Sequence, residues 1–429
     1  MAATDGAARI AACDCVTPLG DAKAAVAALL AGRVALELQP VLGRDGGDAV
    51  PLALLGPMDE AVSPRWLGAV KALAEKIPAA ATRWGSAREP AIVTSSNFGV
   101  GSLYAFTRDR DARHLRHGPP FATVELLQRE LGWGEHVTVF SHACVTAHLG
   151  LAHAGRLLAA GLADRVLVFS FDFVSPFVAG GFHSLKILNG AMPAPFARRD
   201  VGAIGLGDGA AFAVLTPVTH EAEGFTIEAH ALHNEMHHFT ANRPDGAGFA
   251  ACLAEIAAAA GGRRVWVKGH GTGTLEAGRL EAEAVARAFP GAPLVSWKGS
   301  LGHTLGSCGL VELAIALAAL RGEAGKIPST VGSAGPCFTD AVALEPFDAR
   351  GFDAAVLTSN AFGGAHAALL LSRIHAEDLP RITRIGANFR EEFRSRHGQS
   401  RSHRSVSRSS PRFHSRLFAS IRGQLHASG

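Results

Sequence analysis

The sequence predicts an α/β fold, and three observations carry that prediction. Short apolar segments rich in Val, Ile and Phe alternate with alanine-rich segments of helical length. Small and glycine-rich stretches follow the apolar segments, with 49 Gly and 21 Pro in 429 residues. Hydrophobic residues make up 48% and charged residues 18%, enough apolar material for two sizeable cores and too much for a disordered body.

Taken in order, the strand segments are "AIVTSS" (91–96), "VTVF" (137–140), "RVLVFSFDF" (165–173) and "AAFAVL" (210–215). Four more follow: "FTIEAHAL" (225–232), "RVWVKG" (264–269), "PLVSWK" (293–298) and "AAVLTS" (354–359). Strands that alternate with helices are expected to be buried and largely parallel. The second four echo the first four, which predicts two similar halves meeting near residues 216–224. Six cysteines are scattered without CxxC spacing, so neither a zinc site nor a disulfide framework is expected. No run approaches roughly 18 apolar residues, and no basic segment followed by an apolar one opens the chain. The expectation is a cytoplasmic protein without a membrane span.

Charge is uneven. The net +3 combines +9 over residues 381–429, with eleven Arg against Glu391 and Glu392, and −6 over the rest. That Arg/Ser-rich tail is expected to be a disordered extension, and no nucleic-acid function is assigned to it.

In open α/β sheets, functional groups collect beyond the carboxyl ends of strands. "VTVF" leads to "SHAC" with Cys144, "RVWVKG" to "HGTGT" with His270, "PLVSWK" to "GSLGH" with His303, and "AAVLTS" to "NAFGGA" with Phe362. A helix starting just after Cys144 and ending at Gly161 would place the sulfur at its positive end. That predicts a thiol shifted down from about 8.5 toward a resting thiolate. His142 and His148 flank the cysteine as packed or hydrogen-bonded bystanders. Lys298 stands five residues before His303, and Glu312 opens the next helix; a buried charge there would need the other as partner. His230, His233, His237, His238 and Glu235 lack the spacing of a metal site. "GLGDGA" precedes a strand rather than opening a helix, so no dinucleotide is expected.

On these residues the sequence resembles the β-ketoacyl-acyl-carrier-protein synthases, condensing enzymes of Cys-His-His type, from about residue 16 to about 373. Ala143-Cys144, "HGTGT" (270–274) and the run from Lys298 to Gly309 match the family's motifs in order and spacing, and "EMHHFTANRPDG" (235–246) is similar to a further one. The resemblance implies a thiolase-like fold: two similar βαβαβαββ halves, 1–218 with the nucleophile and 219–380 with two catalytic histidines, forming a layered α/β/α/β/α core. It implies that Cys144 carries an acyl group while His270 and His303 bind the thioester carbonyl of a malonyl extender. The oxyanion hole would be the backbone N–H groups of Cys144 and Phe362, with Lys298, Glu312 and Glu281 orienting the set. Val145, Asn360 and Phe362 would border the gate and acyl pocket. Arg65 and Lys71, on "SPRWLGAVKALAEK", are candidate contacts for an acidic acyl carrier protein, the alternative being a solvated helix face. The implied assembly is a homodimer, or a heterodimer with a second ketosynthase-like subunit, and no cofactor is implied.

Departures from the family pattern are Gly278 where Asp is usual, Val145 where a small or hydroxyl residue is usual, and Asn360-Ala361 in place of Phe-Gly. They bear on substrate choice and fit a specialised synthase, for example of aryl polyenes. An alternative is a non-condensing, chain-length-factor-like subunit, against which Cys144 argues. A thiolase or a coenzyme A-primed synthase would carry a different third residue at His303.

Overall fold

The computed structural model describes residues 6–42, 47–58, 64–218, 224–322 and 325–374. The tail expected over 381–429 lies outside the described residues. Ten strands form the spine of one sheet: β1 (Ala8–Thr17), β2 (Ala91–Thr94), β3 (Val137–Phe140), β4 (Val166–Asp172), β5 (Gly209–Thr216), β6 (Gly224–Asn234), β7 (Val265–Lys268), β8 (Leu294–Val295), β9 (Ala354–Ala361) and β10 (Ala365–Ile374). Their order is β8-β7-β9-β10-β6-β1-β5-β4-β2-β3, and the short strand Gly20–Asp21 pairs beside β1 as the eleventh.

Read from either end, the two arms have the same pattern. Two parallel pairings (β8 with β7 and β7 with β9; β3 with β2 and β2 with β4) give way to two antiparallel ones. The arms join where Ala8–Ile10 of β1 pairs antiparallel with Phe225–Ile227 of β6.

The sheet is therefore mixed, not largely parallel as expected. The reason is local: β9 and β10 are separated only by Phe362–Gly364, with Gly363 at φ 86° and Gly364 at φ 73°, and so short a link permits only an antiparallel return. β1 and β10 were not among the expected strands. β8 is two residues long because the chain winds into a short helix, Lys298–Leu301, right after it.

Between the arms lie two helices, Thr146–Ala159 and Cys308–Arg321, which touch each other and strands of both arms. Every residue from Cys308 to Leu317 is buried, the condition of a helix covered on all sides. Helices Ala247–Ala260 and Leu275–Ala288 cover the outer face of one arm, and Trp66–Ala74 with Pro120–Leu131 cover the other. The result is an α/β/α/β/α stack. Gly309 shows how tight the central layer is: a Cβ there would lie 2.4 Å from His148 Nδ1. No helix among the described residues is long and apolar enough to cross a membrane.

Candidate active site

Cys144 follows β3 through a turn in which Ala143 adopts φ 45°, a left-handed conformation that a residue with a side chain holds only under constraint. Thr146 supplies that constraint: its Oγ1 accepts from His142 N at 2.7 Å and donates to Ala143 O at 2.6 Å. Ser359 Oγ donates to Cys144 O at 2.9 Å, and the Cys308 thiol donates to the same oxygen at 3.4 Å. The turn is thus held by backbone geometry and neutral donors.

His303 reaches the sulfur from the other arm, with Nε2 3.0 Å from Cys144 Sγ. Gly302 precedes it at φ 73°, where a Cβ would lie 2.6 Å from Leu206 C. His303 N donates to Gly205 O at 2.7 Å and His303 O accepts from Gly207 N at 3.1 Å, so "GLGDGA" serves as a backbone bracket for this histidine. The His270 ring meets that of His303 edge to face, centroids 4.9 Å apart and planes at 89°. Glu281, 2% exposed, clamps the His270 turn: it accepts from His270 N at 2.7 Å, Gly271 N at 2.9 Å, Thr358 Oγ1 at 2.6 Å and Asn360 Nδ2 at 2.9 Å.

Glu312 lies behind the imidazoles, buried, with the Lys298 ammonium on Oε1 and the Lys268 ammonium on Oε2. Burial and these two ammonium groups hold both imidazoles well below the ordinary histidine range, with His303 adding to the effect on His270; each ring is neutral and carries one N–H.

The expected resting thiolate is corrected. Burial pushes the Cys144 thiol well above the ordinary thiol range; Cys308 adds to this and the Lys298 ammonium opposes it. The helix begins at Thr146, and the N–H groups of Val145 and Thr146 donate back to His142 O and Ala143 O rather than to the sulfur. The amides expected to acidify the thiol are occupied by the turn that presents it.

Cys144, His270 and His303 open into a cavity of about 290 Å³, walled by apolar Phe182, Ile187, Ile204 and Phe362 and by polar Thr272 and Thr274. Phe362 is 40% exposed and stacks on Phe182 at 5.9 Å. Larger clefts, of about 450 and 600 Å³, lie around Arg263, away from these side chains. The sulfur and nearest imidazole nitrogens lie within 4.8 Å of one another, the only group of this kind among the described residues. A soft divalent ion could bind there only by occupying all three side chains. His237 and His238 are exposed on their loop, away from such a group.

Other expected positions fall elsewhere. Val145 is buried behind the sulfur against Ala361, Ala365 and Ala367 and does not line the cavity. Asn360 lines the cavity, but its side chain faces inward, donating to Glu281 and accepting from His366 Nδ1 at 2.9 Å. Arg65 is bound internally, to Asp208 at 2.7 Å and to Val174 O at 2.9 Å, because Asp208 is buried and needs a cation; it is not the free surface charge that was expected. Lys71 remains half-exposed, beside Glu130 at 3.0 Å. His148 is buried, and burial pushes its ring down to about 4. Sequence reasoning missed Lys268, Thr358 and Ser359. The available signal was Lys268 itself, a charge closing an otherwise apolar strand two residues before His270.

Comparison with known proteins agrees with this geometry. Residues 225–333 match the family model of the β-ketoacyl synthase C-terminal domain. The chain is 30% identical over 262 residues to 3-oxoacyl-[acyl-carrier-protein] synthase 2 of Coxiella burnetii, covering 56% of this chain and 62% of that protein. It is 29% identical over 276 residues to the tetracenomycin polyketide synthase ketoacyl synthase alpha subunit of Streptomyces glaucescens, covering 57% and 63%. The chain thus spans about three fifths of the length of the curated relatives it matches. Among solved structures, a β-ketoacyl synthase from Burkholderia phymatum superposes with a TM-score of 0.71 at 20% identity, covering 86% of this chain and 100% of that one. The ketosynthase ApeO of Xenorhabdus doucetiae, solved with its chain length factor ApeC, gives 0.69 at 21%, covering 86% and 98%. The motif sequences, the C-terminal domain match and the shared thiolase-like fold agree: residues 225–333 carry a β-ketoacyl synthase C-terminal domain, and the chain is similar to 3-oxoacyl-[acyl-carrier-protein] synthases and polyketide ketosynthases over about three fifths of their length.

Proposed function

We propose that this protein is an acyltransferase of the 3-oxoacyl-carrier-protein synthase type, joining an acyl group held on Cys144 to a malonyl unit with loss of carbon dioxide. The observation that carries this reading is the 3.0 Å approach of His303 Nε2 to Cys144 Sγ, with His270 edge-on beside it in one cavity. In this reading the catalytic cysteine comes from the half 1–218 and both histidines from the half 219–380.

The chemistry has two steps. In the first, Cys144 displaces the carrier thiol from an acyl thioester, and the thiol proton leaves with the carrier sulfur. A neutral His303 with its proton on Nε2 donates to Sγ as negative charge forms there. The N–H groups of Cys144 and Phe362 are assigned to the developing oxyanion. In the second, a malonyl thioester docks with its carbonyl oxygen between His270 and His303. Carbon dioxide departs, the enolate carbon attacks the acyl carbonyl, and the Cys144 sulfur is released and takes up a proton. Two neutral N–H donors aimed at one oxygen suit charge that appears only in the transition state.

The substrates of this reading are acyl and malonyl groups on an acyl carrier protein, in fatty-acid or polyketide biosynthesis including the aryl-polyene type. The apolar wall of Phe182, Ile187 and Ile204 supports an acyl substituent. The working form is a cytoplasmic dimer, with itself or with a ketosynthase-like subunit, and nucleic acid has no part in it. The experiment is malonyl-carrier decarboxylation by the full chain and by His270→Ala and His303→Ala. Each variant is expected to lose about 10²–10³ in rate while remaining folded. Unchanged decarboxylation in both would refute the assignment.

A further inference from the structure

Glu312 carries two ammonium groups on its two oxygens, from Lys268 and Lys298, and all three side chains are at most 1% exposed. The lysines come from different segments. Lys268 ends β7, two residues before His270, and shares a face of that strand with buried Trp266 on the side of helix Cys308–Arg321. Lys298 opens the short helix that ends one residue before Gly302-His303. One carboxylate therefore ties together the two segments that deliver the imidazoles.

Lys298 alone would pair Glu312, and a second buried ammonium is costly to desolvate. The groups acting on the lysines are Glu312 and the Cys308 thiol, with Glu281 acting more weakly on Lys298. Glu281 already accepts four hydrogen bonds from the His270 turn, Thr358 and Asn360. The remaining neighbours in reach are the neutral rings of His148, His270 and His303.

We infer that Lys268 is a positioning residue of the condensing site: by sharing Glu312 with Lys298 it fixes both imidazole-bearing segments, and its buried charge adds to the burial and the Lys298 ammonium that disfavour a second proton on His270 and His303. Burial pushes Lys268 down to about 8 despite Glu312, whereas Glu312 holds Lys298 above the ordinary lysine range against the same burial. Lys268 is thus the more weakly held of the two protons, and the electrostatic contribution is separable from the structural one. The inference rests on the condensing reading for its purpose, but its test needs no substrate.

The experiment compares the full chain with Lys268→Met and Lys268→Arg, labelled with ¹⁵N-histidine, following the imidazole signals of His270 and His303 from pH 4 to 8. In Lys268→Met both rings are expected to protonate at proton concentrations roughly three- to tenfold lower than in the parent, since one nearby cation is gone. Its thermal midpoint should be no lower than the parent's, because Lys298 still pairs Glu312, and Lys268→Arg should restore the parent titration. Superimposable titrations in parent and Lys268→Met would overturn the inference. So would failure of Lys268→Met to fold, which would make Lys268 a structural tie only. Malonyl-carrier decarboxylation by the parent is measured alongside: its absence defeats the condensing reading and leaves the titration result standing.

Discussion

Cys144 and the imidazoles share one cavity, yet the thiol is presented by backbone geometry whereas the histidines are braced by buried charge. On the thiol side stand the left-handed Ala143, the hydroxyls of Thr146 and Ser359, and the Cys308 thiol. On the histidine side stand Glu281 with its four donors and Glu312 with its two lysines. On the proposed function, the difference follows from what each residue has to do. A sulfur that carries an acyl group must project from a rigid turn and remain accessible. Two imidazoles that act as hydrogen-bond donors must stay neutral, which burial and the neighbouring ammonium groups together achieve.

The comparison is tested hardest at Glu312. Glu312→Gln leaves two buried ammonium groups without a counter-charge and is expected to cost about 3–5 kcal/mol in urea unfolding. Thr146→Ala on the thiol side removes hydroxyl bonds only and should cost about 1–2 kcal/mol. Equal losses would dissolve the distinction.

Glu281→Gln should lower malonyl-carrier decarboxylation about 10–100-fold, because the His270 turn loses its charged clamp, while acyl loading of Cys144 is nearly unchanged. An equal fall in both steps would place Glu281 in general stability rather than in holding His270.

Acid should act chiefly through histidines. His148, pushed down to about 4, His230, down to about 3, and His270 and His303, well below the ordinary range, are neutral when folded. The unfolded chain binds their protons as pH falls through about 6.5, so stability declines from there downward, each contributing up to about 1.4 kcal/mol per pH unit. Asp172, raised to about 6 by burial, and Asp208, also raised, oppose this between their unfolded and folded values, since the folded state holds their protons more tightly. Urea midpoints from pH 7 down to 4 should fall, with a shallower slope in His270→Asn. Midpoints flat over that range would contradict neutral buried rings.

The smallest effect is expected at the turn. Ala143→Gly relieves the left-handed strain but adds freedom to the unfolded chain, so the two terms should nearly cancel, within about 1 kcal/mol. A loss well beyond that would show that the methyl group, and not the turn, holds Cys144.

The same contrast governs what the sequence made legible. Chemistry-bearing residues at strand ends could be read directly, because "HAC", "HGTGT" and "GH" each follow an apolar run, and all eight expected strands exist. Hidden from that reading was everything that depends on which face a residue meets across the molecule. Lys268 is one lysine in an apolar strand until helix Cys308–Arg321 brings Glu312 against it. Arg65 looks like surface charge until Asp208 arrives from 143 residues away. The thiol was expected to be acidic because a helix follows it, yet Val145 and Thr146 donate into the turn, and burial outweighs what the helix end offers. The mixed sheet was missed because β1 and β10 need each other's neighbours to be recognised as strands.

Intact-protein mass spectrometry after incubation with a panel of acyl-carrier thioesters tests the account most directly. A single acyl adduct on the full chain, mapping to the peptide that holds Cys144 and absent from Cys144→Ala, is the predicted result. No adduct from any carrier thioester, or an adduct that persists in Cys144→Ala and maps to another cysteine such as Cys308, would contradict it.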